Sequence, residues 1–125
     1  MPNRGKEVIG ISGSKSATSH WLYQRITAVF LIPLTIWFVY ISSHLLRGGE
    51  SAIVDSLSDS YSSALFMLYL SVAAYHAMLG MRVVIEDYVH CRYSKIGLLI
   101  IINFVTIVSW VFACCAIFAH HVKFL

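Results

Sequence analysis

Charged residues punctuate the chain at wide intervals. Arg25 and Arg47 bracket an uncharged stretch from Ile26 to Leu46, Asp59 and Arg82 a second from Ser60 to Met81, and Lys95 and Lys123 a third from Ile96 to Val122. Each stretch exceeds the roughly 20 residues that a helix needs to cross about 30 Å of hydrocarbon. None shows the period-2 alternation that a membrane barrel requires. The pattern predicts an all-α membrane protein with three transmembrane helices over about residues 21–46, 60–87 and 96–121. Residues 1–20 carry Gly5, Gly10, Gly13 and several serines, and read as a flexible or partner-bound polar tail before the three-helix unit of residues 21–125.

Composition agrees. Of the 125 residues, 58% are apolar and only 12% are charged, about half the roughly 25% usual in soluble domains. The mean hydropathy is +0.75. A soluble chain this short exposes too much of its surface to hide so many apolar side chains, which excludes a soluble enzyme domain. Intrinsic disorder is excluded by the same apolar content. The net charge of +3, with no basic stripe, argues against nucleic-acid binding. Three cysteines, Cys91, Cys114 and Cys115, have no regular spacing and read as structural thiols rather than a disulfide framework. No short apolar region with a small-residue cleavage site follows the start, as a secretory signal would need.

Orientation follows from Lys and Arg beside the spans. The tail carries Arg4, Lys6, Lys15 and Arg25, and the second connection carries Arg82, Arg92 and Lys95. The first connection has only Arg47, beside Glu50, Asp55 and Asp59. The N-terminus is therefore expected in the cytoplasm (or the mitochondrial matrix), and the C-terminus outside. Pro33 lies within the first span, and a kink near Leu31 to Pro33 is expected.

Candidate chemistry concentrates on the second span. His76 sits well inside it, and an ionisable group at membrane depth points to function. It is either a ligand or a residue that hydrogen-bonds a neighbouring helix. Small neighbours Ala73, Ala77 and Gly80 flank it on one helix face. Small residues admit a close neighbouring helix or a flat macrocycle, and imidazole is a recognised haem-iron ligand. Asp87 follows His76 by eleven residues, which places both on one face about 16 Å apart along the axis. Beside it, Tyr88 offers a phenol able to donate to a quinone carbonyl, and Asp87 a carboxylate able to pass protons. The plainer reading is an interfacial Tyr with loop acids that pair with Arg82 or Arg92. His20, His44, His120 and His121 fall at span ends and read as solvated. With one good mid-membrane imidazole, a six-coordinate haem would need its second axial ligand from another subunit. Arg25 either pairs with haem propionates or is a simple positive-inside anchor.

The stretch His76-Ala77-Met78-Leu79-Gly80-Met81-Arg82-Val83-Val84-Ile85-Glu86-Asp87-Tyr88-Val89 resembles the small hydrophobic membrane anchor of succinate dehydrogenase (respiratory complex II), of the type with cytochrome b. Trp21-Leu22-Tyr23-Gln24-Arg25-Ile26-Thr27-Ala28 looks like the start of that family's first helix. The resemblance implies a helical bundle with a second, companion anchor and a haem b shared between the two, His76 being this chain's axial ligand. It implies a flavoprotein and an iron–sulfur protein on the cytoplasmic or matrix side, electrons passing from succinate to ubiquinone. Tyr88 would hydrogen-bond a quinone carbonyl, Asp87 would organise the site or supply protons, and Arg25 would lie near the haem propionates or the quinone site. The chain would have no activity alone. The absence of an Arg-rich amphipathic presequence favours a bacterial inner membrane, with the mitochondrial inner membrane as the alternative.

Two other classes compete. One is a cofactor-free scaffold or assembly protein, with His76 an interhelical hydrogen-bonding residue. The other is a small transporter or channel component, for which the third span offers only Asn103, Thr106 and Ser109.

Overall fold

The computed structural model describes the backbone of residues 4–124 and the side chains of residues 18–124. It contains three α-helices: α1 from Arg4 to Ser58, α2 from Ser60 to Tyr88 and α3 from Arg92 to Lys123. All three are long and apolar enough to cross a membrane. The expected spans lie inside them. From Arg4 onward the residues expected as a flexible or partner-bound tail belong to α1, and their side chains are described only from Thr18.

The helices are longer than the apolar runs that predicted them. Residues 47–58, expected in a connection, continue α1 and leave helical geometry only at Gly49 (φ 67°, ψ −156°). That conformation is nearly closed to residues with a Cβ. Gly48 beside it is equally constrained, because an added Cβ would meet Ala52 Cβ at 2.5 Å. At Pro33 the backbone stays helical, and the ring lies on the exposed side of α1.

Short links make the helices antiparallel neighbours. Asp59 alone joins α1 to α2 and caps the latter, its carboxylate accepting from Ser62 N at 2.9 Å. These hydrogen bonds from Ser62 hold the Asp59 carboxyl below its ordinary pKa. The contribution of this cap is therefore complete above the ordinary value and is lost as pH falls through the lowered one. At the other end, Lys95 Nζ donates to the Glu86 carbonyl at 3.3 Å, a cation satisfying the end of a helix.

α2 is the central helix, since α1 and α3 each pack chiefly against it and touch one another little. On the α1 side, Phe66 is buried between Trp37 (ring centroids 5.0 Å apart) and Phe38 (6.1 Å), and Phe38 stacks on Tyr69 at 4.5 Å. On the α3 side, Trp110 Nε1 donates to Ser71 Oγ at 2.8 Å. Among the described residues only Phe66, Leu79, Ile85 and Ile117 are buried apolar side chains. Large apolar groups such as Ile36, Phe104 and Phe112 remain 68%, 68% and 73% exposed. Such a surface requires lipid or further helices around it.

Gly49→Ala is expected to destabilise the bundle by about 1–3 kcal/mol. A lowered melting temperature of the detergent-solubilised assembly checks this; an unchanged one would mean the bend relaxes freely.

Candidate functional site

The intramembrane imidazole packs toward α1. His76 is half-buried, and its Nδ1 lies 2.8 Å from Thr27 Oγ1. Thr27 is positioned by its own helix, its hydroxyl lying 2.9 Å from the Tyr23 carbonyl and 3.0 Å from that of Gln24. Such back-bonding is how a helical threonine satisfies itself where water is absent. Nε2 of His76 has no hydrogen-bond partner among the described residues and is not sealed inside the bundle. One ring nitrogen thus serves the α1–α2 contact, and the other stays free.

One turn toward the basic end, Gly80 faces Gln24. A Cβ added at Gly80 would come 3.4 Å from Gln24 Nε2, and Gln24 Oε1 is buried without a hydrogen-bond partner. Gly80 therefore serves close helix approach. Ala73 and Ala77, expected beside His76 on the same face, instead line an open groove of about 490 Å³ between α2 and α3, with Thr106, Ser109 and Trp110 opposite. The small residues divide between the two neighbouring helices: Gly80 admits α1, and the alanines leave space toward α3.

Asp87 and Tyr88 occupy the last turn of α2, whose end is fixed by Lys95. Both are exposed, Tyr88 by 79%, and neither side chain has a hydrogen-bond partner among the described residues. The helix is unbroken from His76 to Tyr88. Asp87 thus lies on the His76 side of α2, about 16 Å away along the axis.

Arg25 is not brought to this side. Its guanidinium lies over the Trp21 ring, 5.5 Å from the centroid, and its stem joins Ile26, Val29 and Phe30 on an outer surface of α1. It lies two positions before Thr27, a rotation of about 200° on a helix, so one faces α2 and the other faces away.

Thr27 is the residue that sequence reasoning missed. The available signal was its depth in the first span, one turn beyond Gln24, on the face that also carries Leu31 and Leu34. Among the other histidines, His44 packs edge-on against Tyr40, His120 stacks on Phe124, and His121 Nε2 lies 3.5 Å from Ser60 Oγ.

The donor set limits what the site can hold. Among the described residues no three His, Cys, Asp or Glu side chains converge on a metal-ion position. An iron already bound in a macrocycle needs only one imidazole from this chain. His76 meets that requirement: Nδ1 is engaged by Thr27, and Nε2 is unpartnered among the described residues and not fully enclosed.

These features define a three-helix membrane protein with one intramembrane imidazole and an acid–phenol pair at the basic end of the same helix. Residues 2–113 match the family of succinate dehydrogenase/fumarate reductase transmembrane subunits. A chain from Rickettsia prowazekii is 35% identical over 105 residues, covering 82% of this chain and 84% of its own length. One from Rickettsia conorii is 36% identical over 107 residues, covering 82% and 85%. Both are named succinate dehydrogenase hydrophobic membrane anchor subunit. A succinate dehydrogenase membrane anchor subunit from Reclinomonas americana is 26% identical over 110 residues, covering 84% and 92%. The chain belongs to this transmembrane-subunit family, as the resemblance in its second span anticipated.

Gly80→Ala is expected to be tolerated, since its methyl would make an ordinary contact. Gly80→Leu is expected to part α1 from α2 at a cost of about 1–3 kcal/mol, typical of overpacking. Thermal stability of the assembled complex distinguishes the two; equal stability would contradict the close approach.

Proposed function

We propose that this chain is a membrane anchor subunit of a succinate:ubiquinone oxidoreductase that shares a haem b with a companion anchor and contributes to the ubiquinone-reduction site. The observation that carries the reading is the unpartnered, incompletely enclosed Nε2 of His76 on the helix that ends in Asp87 and Tyr88, in a chain of this family. Haem b, when bound, supplies a one-electron carrier at membrane depth. His76 would hold its iron, the second axial ligand coming from the companion anchor. Arg25 would meet a haem propionate or the quinone-site vicinity from its outer surface of α1, where a neighbouring protein of the complex also has access.

Reduction of ubiquinone to ubiquinol takes two electrons and two protons. Tyr88 would donate a hydrogen bond to a quinone carbonyl, which polarises it toward reduction. Asp87 beside it would hold and pass protons from the aqueous side, since both residues stand where the helix leaves the membrane. The electrons would come from succinate through a flavoprotein and an iron–sulfur protein on the same side. Among the described residues no group is placed to bind succinate. The proposed site of action is a bacterial inner membrane or its mitochondrial counterpart.

The Thr27–His76 bond also suits a cofactor-free scaffold, in which the imidazole only joins two helices. The unpartnered nitrogen favours the haem reading, because a purely structural histidine in hydrocarbon would need a partner for both ring nitrogens.

In the complex isolated from its native membrane, His76→Ala should remove or alter the sharp b-type band of the reduced-minus-oxidised spectrum. An unaltered bis-histidine spectrum would sink the haem assignment, and absence of haem from the intact parent complex would favour the scaffold. Tyr88→Phe should slow quinone reduction roughly fivefold or more, the worth of one hydrogen bond of about 1 kcal/mol. Succinate oxidation with a soluble acceptor should persist, and equal loss of both activities would argue against a local quinone role.

A further inference from the structure

The Thr27 hydroxyl has one hydrogen and three neighbours. Two of these, the carbonyl oxygens of Tyr23 and Gln24 at 2.9 and 3.0 Å, can only accept. The third is His76 Nδ1 at 2.8 Å, which donates in one tautomer and accepts in the other. If the hydroxyl donated to Nδ1, its oxygen lone pairs would face two carbonyl oxygens with no hydrogen between them. Low dielectric makes that arrangement costly. If the hydroxyl donates to one of its own carbonyls, a lone pair is left toward His76, and Nδ1–H becomes the donor. All three groups are then satisfied. The protonated nitrogen is Nδ1, and Nε2 carries the free lone pair.

We infer that Thr27 is a positioning residue for His76: by accepting from Nδ1–H it fixes the ring orientation and the tautomer whose Nε2 can ligate a haem iron. This assignment rests on the proposed haem reading. An acceptor on the far ring nitrogen raises the basicity of a ligating imidazole. A more basic ligand favours the ferric over the ferrous state, so Thr27 would lower the haem midpoint potential. It would also couple α1 to the haem, although α1 supplies no ligand.

The test compares Thr27→Val and Thr27→Ser in the whole complex, isolated from its native membrane in mild detergent. Val keeps the shape and removes the acceptor, whereas Ser keeps the hydroxyl. The readouts are haem retained per flavin, the optical midpoint potential of the haem, and the electron-paramagnetic-resonance signature of its ferric form. Val is expected to raise the potential, alter the ferric signature and weaken haem retention by about 10- to 100-fold, as loss of such partners commonly does. Ser is expected to restore all three. Should Val prevent assembly, Thr27→Ala carries the same expectation with less bulk. A parental potential and ferric signature in the Val or Ala complex would overturn the inference, as would equal displacement by Val and Ser. A merely structural role would change assembly without moving the potential of the haem that remains. Failure of the haem reading itself is recognised separately, because it would leave the parent without haem or the His76→Ala spectrum unaltered; either result overturns both.

Discussion

Hydrocarbon offers a polar side chain no water, so each buried donor or acceptor must find its partner within the protein. This constraint organises the bundle through α2. Its face toward α1 presents His76 to Thr27, its face toward α3 presents Ser71 to Trp110, and its N-terminal end presents Ser60 to His121. Each contact joins residues from different helices, at a different depth. Apolar packing between helices gains little over lipid, so such hydrogen bonds and close approaches set which faces meet. The aromatic cluster of Trp37, Phe38, Phe66 and Tyr69 adds shape to the α1–α2 seam. The polar pairs limit how the helices can slide.

Much of this architecture is legible in the sequence because the bilayer imposes a length. Three uncharged stretches can be little else than three spanning helices, and His76 stands out because an imidazole among alanines and leucines is costly. The partners of each face are less legible. Helical periodicity says which residues share a face but not which neighbour that face meets. Ala73, Ala77 and Gly80 therefore looked like one surface, yet Gly80 receives α1 and the alanines border the groove toward α3. Thr27 was hidden for a related reason. Threonine is common in apolar helices, and its role depends on register between helices 49 residues apart in sequence. Arg25, more conspicuous, turns outward onto Trp21. The extension of α1 past Leu46 was masked by its charges, which read as a connection, although a polar helix is equally stable once outside the membrane.

The surplus of exposed apolar surface is a property of a part rather than a defect of a fold. Among the described residues four apolar side chains are buried, which cannot by themselves specify a stable domain. The two seams on α2 hold the three helices in order, and the outer faces of α1 and α3 are left to lipid or to a neighbouring protein. A chain of this family that shares a cofactor across a boundary between chains would gain from such an arrangement, since its ligand must point out of its own bundle to be shared. Nε2 of His76 has no partner among the described residues and is not fully enclosed.

The vertical separation along α2 has its own logic. Proton exchange with water is fast at a membrane surface and obstructed within hydrocarbon, whereas an electron needs no aqueous path. In the proposed quinone role, Asp87 and Tyr88 stand at the surface, where the helix ends and Lys95 secures the Glu86 carbonyl. His76 stands about 16 Å deeper on the same unbroken helix. One rigid element thus fixes the distance between the proposed proton-handling and electron-holding positions, with no loop between them to vary it. The exposure of Tyr88 on this chain is consistent with a quinone pocket walled on its other side by a neighbouring protein of the complex. The polar end of α2 would then be finished only on assembly, as would the haem site deeper along it.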